Sequence, residues 1–94
     1  MIRYNMYIQI GHLTNKELIR LTEKQLGKIL KEMYDNAAEG YENTNILLFG
    51  IEFASVMLDR NYKSTDIVKA SGLHPSYSIE LRKGVKLSKY VTAN

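Results

Sequence analysis

Residues 62–84 read YKSTDIVKASGLHPSYSIELRKG, and this stretch decides the predicted fold. Ser64, Thr65 and Asp66 suit the start of a helix, because short polar side chains cap free N–H groups and an acidic group complements the helix dipole. Gly72 ends this helix after about two turns, since glycine adopts the left-handed conformation at a helix C-terminus without strain. The inward side of the helix is predicted to hold Ile67, Val68 and Ala70.

A second short helix is predicted directly after this glycine corner. Leu73 can fill the corner, and Pro75 fits the first turn of a helix, where its missing N–H is no loss. Gly84 is expected to close the helix. The inward side of this helix is predicted to hold Tyr77, Ser78 and Leu81. Two short helices around a glycine corner are what a helix-turn-helix requires, and its second helix is the one presented to the major groove of DNA.

The run GLHPSYSIELRKG at residues 72–84 resembles the turn and recognition helix of lambda-repressor-like (Cro-type) transcriptional regulators. Members of that family commonly show Gly-Leu-Ser-Pro-Ser-Tyr, a Glu-Ile-type pair, and then a basic residue followed by glycine. The resemblance extends over about residues 46–88, with residues 49–60 and 62–71 in the places of the family's first and second helices. It implies a domain that binds double-stranded DNA and performs no catalysis.

The resemblance also implies roles for individual residues. Ser64 and Thr65 would bind a phosphate at the start of the first short helix. In the second helix, Ile79 would meet a thymine methyl group, Glu80 would accept from a cytosine amino group, and Lys83 would reach guanine or phosphate. The full set of predicted DNA-binding residues is Ser64, Thr65, His74, Ser76, Ile79, Glu80, Arg82, Lys83 and Lys86. The same mapping assigns Val68, Leu73, Tyr77 and Leu81 to the core.

The sequence departs from the family pattern at three places. His74 stands where the family has a serine cap, and histidine is a weaker cap. Ser78 stands where a hydrophobic residue normally anchors the second helix, so a small rotation would decide whether Ser78 or Ile79 faces inward. Only residues 85–94 follow the closing glycine, where the family continues with two more helices. These last residues form either one short helix or a strand that pairs with residues 6–10 as a flap.

Two longer helices are predicted ahead of this pair. Thr14 and Glu17 have the spacing of a capping box, and apolar residues at three- to five-residue spacing continue a helix over residues 15–35. Residues 45–60 are apolar nearly all round, with Thr44 or Asn45 as the cap, which is typical of a central helix covered on several sides. Within that helix the carboxylate of Glu52 is expected to face water or to pair with a lysine.

The chain of 94 residues, with 45% hydrophobic content, suits one globular domain over residues 1–94. The expected fold class is all-α, with four to five helices that include a long N-terminal one; a short two-stranded flap formed by the two termini is the alternative for the chain ends.

Residues 60–94 hold seven Lys and Arg against two Asp and Glu, whereas residues 1–59 hold six Lys and Arg against eight Asp and Glu. A basic C-terminal third of the chain attracts polyanions, although a basic surface that only faces water would show the same composition.

Several classes of chemistry have no support in the sequence. The chain has no cysteine, so neither a disulfide nor a thiolate zinc site can form. Its two histidines, His12 and His74, are distant in sequence, so we expect no metal site. No glycine-rich phosphate loop, serine elbow or two-histidine zinc motif is present. We therefore expect no enzyme activity, cofactor or metal. Because no signal-like start or membrane-length apolar run is present, we expect a cytoplasmic protein that binds no membrane.

The favoured prediction is a sequence-specific DNA-binding protein that regulates transcription, of phage or mobile-element type by analogy with regulators of this size. One recognition helix reads few base pairs, so useful specificity predicts a homodimer on a two-fold site. The alternative is a small protein-binding inhibitor or adaptor, such as a phage anti-defence protein. It would use the same scaffold, with its scattered tyrosines and its first helix as the contact face.

Overall fold

The computed structural model describes residues 15–91, and within them it contains helices and no strand. The helices are α1 (Asn15–Ile19), α2 (Glu23–Asp35), α3 (Glu42–Asp59), α4 (Ser64–Ser71) and α5 (Tyr77–Leu87). The all-α prediction is confirmed. Residues 6–10, the expected first strand of the flap, lie outside the described residues. No helix within residues 15–91 has the length and apolar character needed to cross a bilayer.

The predicted single helix over residues 15–35 is wrong, because the chain forms two helices there, α1 and α2, with a break at residues 20–22. Thr22 has extended backbone angles, φ −85° and ψ 166°, and acts as the N-cap of α2. Its Oγ1 accepts from the Gln25 N–H at 3.1 Å, while Gln25 Oε1 accepts from the Thr22 N–H at 2.8 Å. This capping box satisfies two N–H groups and starts a new helix. Thr14, half of the predicted capping box, lies outside the described residues.

The central helix α3 carries most of the core. The buried apolar cluster consists of Leu26, Leu30, Met33, Ile46, Phe49, Phe53, Val56, Met57, Ile67, Val68 and Leu81. The helix begins at Glu42, three residues earlier than predicted, and Asn45 is not its cap. Asn45 is buried instead, and its Nδ2 donates to the backbone oxygen of Met33 at 2.7 Å. This hydrogen bond joins α3 to the last turns of α2.

The two short helices rest on different long helices. Helix α4 packs on α2, where a Cβ built on Gly27 would lie only 2.7 Å from the Ala70 Cβ. Ala70 was predicted to lie on the inward side of α4. It contacts α2 at Gly27, but the residue as a whole is exposed and is not part of the buried core. Helix α5 packs on α3, and there Gly50 and Gly84 bring the two backbones together.

The prediction that Gly84 closes the recognition helix is wrong. Helix α5 continues to Leu87, and Gly84 is buried within it. A Cβ on Gly84 would collide with the Leu47 carbonyl oxygen and would lie 2.9 Å from the Gly50 Cα. The glycine is therefore required by the close approach of two helices and not by a helix end.

Candidate nucleic-acid interface

The corner between α4 and α5 has the predicted geometry. Gly72 follows the last residue of α4 with φ 80° and ψ 1°, the left-handed conformation, and its N–H donates to the Lys69 oxygen at 3.2 Å. Ser71 adds a side-chain link, since its Oγ accepts from the Leu73 N–H at 3.1 Å. Leu73 packs against the core. Both predictions for this corner, the glycine stop and the leucine plug, are confirmed.

Gly72→Val is expected to destabilise the fold by about 1–3 kcal/mol, because a β-branched residue does not tolerate a left-handed backbone. Apart from the two neighbouring residues in the chain, no atom lies within 4 Å of an added Cβ, so we attribute the loss to backbone strain. Urea denaturation measures the loss. Gly72→Asn is the matched control and should lose less, since asparagine visits this conformation more readily. Equal stability of the valine variant and the wild type would contradict the prediction.

His74 organises the first turn leading into α5. Its Nδ1 accepts from the Ser76 N–H at 3.1 Å and lies 2.9 Å from the Ser76 Oγ. The imidazole therefore provides an acceptor within the turn before α5, whereas the N-cap residue of the helix is Ser76, which makes no side-chain capping hydrogen bond. The Ser76 hydroxyl is engaged by this ring, which leaves it less available for a base edge.

The start of α4 lies on the same side of the molecule as this turn. Thr65 and Pro75 line one cavity of about 360 Å³, together with Lys69, Gly72 and Leu73. The N-cap of α4 is Lys63, which makes no side-chain capping hydrogen bond, so the expectation that Ser64, Thr65 or Asp66 caps the helix is wrong. These three residues form the first turn. The backbone N–H groups of Ser64 and Thr65 bond to no other group within residues 15–91.

The rotation of α5 is resolved in favour of Ser78 as the inward residue. Ser78 is 8% exposed, Leu81 is fully buried, and Ile79 is 55% exposed on the opposite side. The outward side of α5 also carries Arg82, Lys83 and Lys86, all exposed. We call Ile79, Glu80, Lys83 and Lys86 the outer face of α5. Its only ion pair within the described residues joins Lys83 Nζ to Glu80 Oε1 at 3.8 Å.

A pair of tyrosines, Tyr34 and Tyr77, holds the beginning of α5, and no spacing pattern in the sequence predicted their contact. The hydroxyl of Tyr34, at the end of α2, lies 3.1 Å from that of Tyr77, and the rings meet edge to face at 5.3 Å. The hydrogen bond to Tyr77, followed by desolvation, raises the pKa of Tyr34 above its ordinary value of 10.0. Tyr34 therefore helps to position the recognition helix from a separate element.

Tyr77→Phe is expected to lower the pKa of Tyr34 toward 10.0, because it removes the largest cause of the shift. A tyrosine whose pKa is higher in the folded than in the unfolded protein stabilises the fold while its hydroxyl is protonated. This stabilisation is complete below the pKa of the unfolded state and is lost as the pH rises through the pKa of the folded state. Tyr34→Phe should therefore be less stable than wild type at neutral pH, with the difference vanishing in strong alkali. Tyrosinate absorbance during an alkaline titration measures the pKa. Tyr41→Phe is the control, and an unchanged titration in Tyr77→Phe would contradict the assignment.

The basic residues of the C-terminal third are all available to a polyanion. Every Lys and Arg of residues 60–89 is exposed: Arg60, Lys63, Lys69, Arg82, Lys83, Lys86 and Lys89. The core positions predicted beside them behave differently, since Val68 and Leu81 are buried and Leu73 and Tyr77 are half-buried against the core. The outer face of α5 and the first turn of α4 therefore form a candidate surface for nucleic acid.

Clusters of acidic side chains and histidines and the buried position of Glu52 were the remaining candidates for chemistry. Residues 15–91 contain no cluster of three or more His, Cys, Asp or Glu side chains that could hold a metal ion. Glu52 is half-buried, burial raises its pKa, and it lines a separate cavity with Leu58 and Val91. It pairs with no lysine of the described residues, contrary to one of the two expectations for it.

Comparison with known proteins supports the helix-turn-helix assignment at the level of a broad family. The family model described as an HTH-like domain matches residues 22–94, well over half of the chain. That match begins at Thr22, the N-cap of α2, and includes the two long helices and both short ones. No curated protein and no solved structure matches the chain significantly. The chain therefore belongs to the HTH-like domain family.

Proposed function

We propose that this protein is a sequence-specific regulator that binds double-stranded DNA in the manner of lambda-repressor-like proteins. Helix α4 would cross the phosphate backbone, and α5 would lie in the major groove. One observation carries the proposal: α5 has one side fixed on α3 through Leu81 and Gly84, while its outer face offers lysines and an apolar side chain to solvent. A fixed helix with a basic outer face is what groove recognition requires.

The contacts separate into those that position the protein and those that choose bases. The unbonded N–H groups of Ser64 and Thr65, together with Arg82, would hold phosphates. Ile79 would meet a thymine methyl group, and Lys83 would reach guanine. The remaining members of the proposed surface are His74, Ser76, Glu80 and Lys86. Glu80 can accept from a cytosine amino group while it stays paired with Lys83, because only its Oε1 lies near the lysine, at 3.8 Å, and a carboxylate has several acceptor sites.

Selection of bound fragments from random duplex DNA tests the proposal directly. We expect one recurrent sequence to be enriched, with two-fold symmetry if the regulator acts as a homodimer. Affinity for that sequence should fall steeply between low and moderate salt, in proportion to the number of phosphates contacted. If no fragment is retained at low salt, the proposed function is wrong.

A protein partner is the second candidate, and one observation favours it. Ile79, at the N-terminal end of the outer face of α5, is apolar and 55% exposed, a property that suits a protein interface as well as a thymine methyl group. An inhibitor or adaptor that used this face would bind its partner with a weak dependence on salt. The same salt series therefore separates the two candidates. By analogy with regulators of this size, we extend the favoured proposal to phage or mobile-element control.

A further inference from the structure

An apolar groove lies between the outward side of α3 and the residues that follow α5. It has a volume of about 360 Å³ and is lined by Ile51, Glu52, Ala54, Ser55, Leu58, Ser88 and Val91. Leu58 is 64% exposed and Val91 46% exposed, although both are large and apolar. Leu87 and Tyr90, beside Ser88 and Val91 in the chain, are exposed as well. Such a concentration of exposed apolar side chains is typical of an interaction site.

We propose that this groove is a homodimer interface, filled by residues 87–91 of a second copy of the chain. A two-fold interface needs a surface that is complementary to itself, so the groove and the segment that fills it must be neighbours on one chain. They are neighbours here, since Ser88 and Val91 line the groove beside the projecting side chain of Tyr90, which is 82% exposed. Each copy would insert its Tyr90 into the groove of the other.

Charge complementarity supports a second copy as the occupant. Glu52 places a carboxylate among the apolar side chains of the groove, and it forms no ion pair within residues 15–91. Lys89 is exposed, precedes Tyr90 in the chain, and also lacks an ion pair within the described residues. Across a two-fold axis, the Lys89 ammonium of one copy would approach the Glu52 carboxylate of the other. The interface would contain this charge pair twice.

Sedimentation of the full-length protein over a range of concentrations tests the interface without DNA. We expect the wild type to dimerise reversibly and Leu58→Lys to dimerise at least about tenfold more weakly, because its ammonium would be buried in an apolar groove. Tyr41→Lys is the matched control: Tyr41 is 59% exposed, near the start of α3, and outside the groove. Circular dichroism checks that each variant is folded. Equal dimerisation of Leu58→Lys and the wild type would overturn the proposal.

A charge swap gives a second test that does not depend on Leu58. Glu52→Lys and Lys89→Glu should each weaken dimerisation, because each places like charges opposite one another. The combined variant should recover affinity relative to either single variant, since the attraction is restored with its direction reversed. Losses that simply add in the combined variant would show that the two residues do not meet, and would reject the proposed arrangement.

Other occupants of the groove give different results. If the wild type is monomeric at every concentration, the proposal is overturned. In that case, a strongly reduced Tm of Leu58→Lys would indicate that another part of the same chain covers the groove. A different protein as occupant would also leave the purified chain monomeric. Failure of the DNA proposal is separable, because a dimer that binds no DNA retains this interface. A monomer that binds DNA retains the proposed function and rejects the interface.

Discussion

Gly84→Ala should lower the free energy of unfolding by about 2 kcal/mol or more, because the added methyl group meets the backbone of α3. Alanine normally stabilises a helix interior by about 1 kcal/mol relative to glycine, so helix propensity predicts the opposite sign. For a domain of this size the expected loss lowers Tm by about 10 °C. Thermal denaturation followed by circular dichroism measures the effect.

Lys86→Ala is the matched control for this variant. It introduces the same residue into α5 two positions away, on the outer face, where no packing is lost. Its Tm should remain close to that of the wild type. Gly50→Ala should reproduce the loss, since a Cβ there would lie 2.5 Å from the Leu81 oxygen. A Gly84→Ala variant that is as stable as the wild type would show that α3 and α5 do not approach so closely.

The double variant Lys83→Glu with Lys86→Glu is expected to weaken binding to the selected DNA by about a hundredfold or more, because two attractive contacts become repulsive. The dependence of the remaining affinity on salt should also become less steep, since fewer phosphates are neutralised. Both lysines are exposed on the outer face of α5, so the fold should be retained. Fluorescence anisotropy with a labelled duplex over a salt series measures both quantities.

Lys24→Glu with Lys28→Glu is the control for net charge. It changes the total charge by the same amount on α2, where both lysines are exposed and neither belongs to the outer face of α5. We expect this control to lose far less affinity, because long-range repulsion is screened at moderate salt. Equal losses in the two double variants would mean that only overall charge matters. The outer face of α5 would then have no special role in binding DNA.

Local signals explain why the helix-turn-helix corner was predictable. The left-handed glycine and the leucine after it leave a compact pattern within a few residues, and the structure has both in place. The break before α2 was also readable, because Thr22 and Gln25 have the spacing of a capping box. It was missed because apolar residues keep a helical spacing across residues 18–30, and that spacing alone predicts one continuous helix.

Contacts between distant residues explain what could not be predicted. A glycine that ends a helix cannot be told from a glycine that lets a second helix pack closely when only the sequence is known. Gly84 was therefore predicted to end α5, whereas it allows α5 to pack against α3. Tyr34 and Tyr77 are 43 residues apart, and no spacing rule brings them together. The rotation of α5 depended on whether Ser78 or Ile79 packs inward, which only the shape of the opposing helix decides.

The separate supports of the two short helices have a consequence for how such a protein could evolve. Helix α4 packs on α2, and α5 packs on α3. The angle between α4 and α5, the helices proposed to contact DNA, therefore depends on the angle between α2 and α3. Asn45, buried and bonded to Met33, is one of the residues that set that angle. Exchanges in the interior could therefore retune sequence preference while every residue at the surface stays the same.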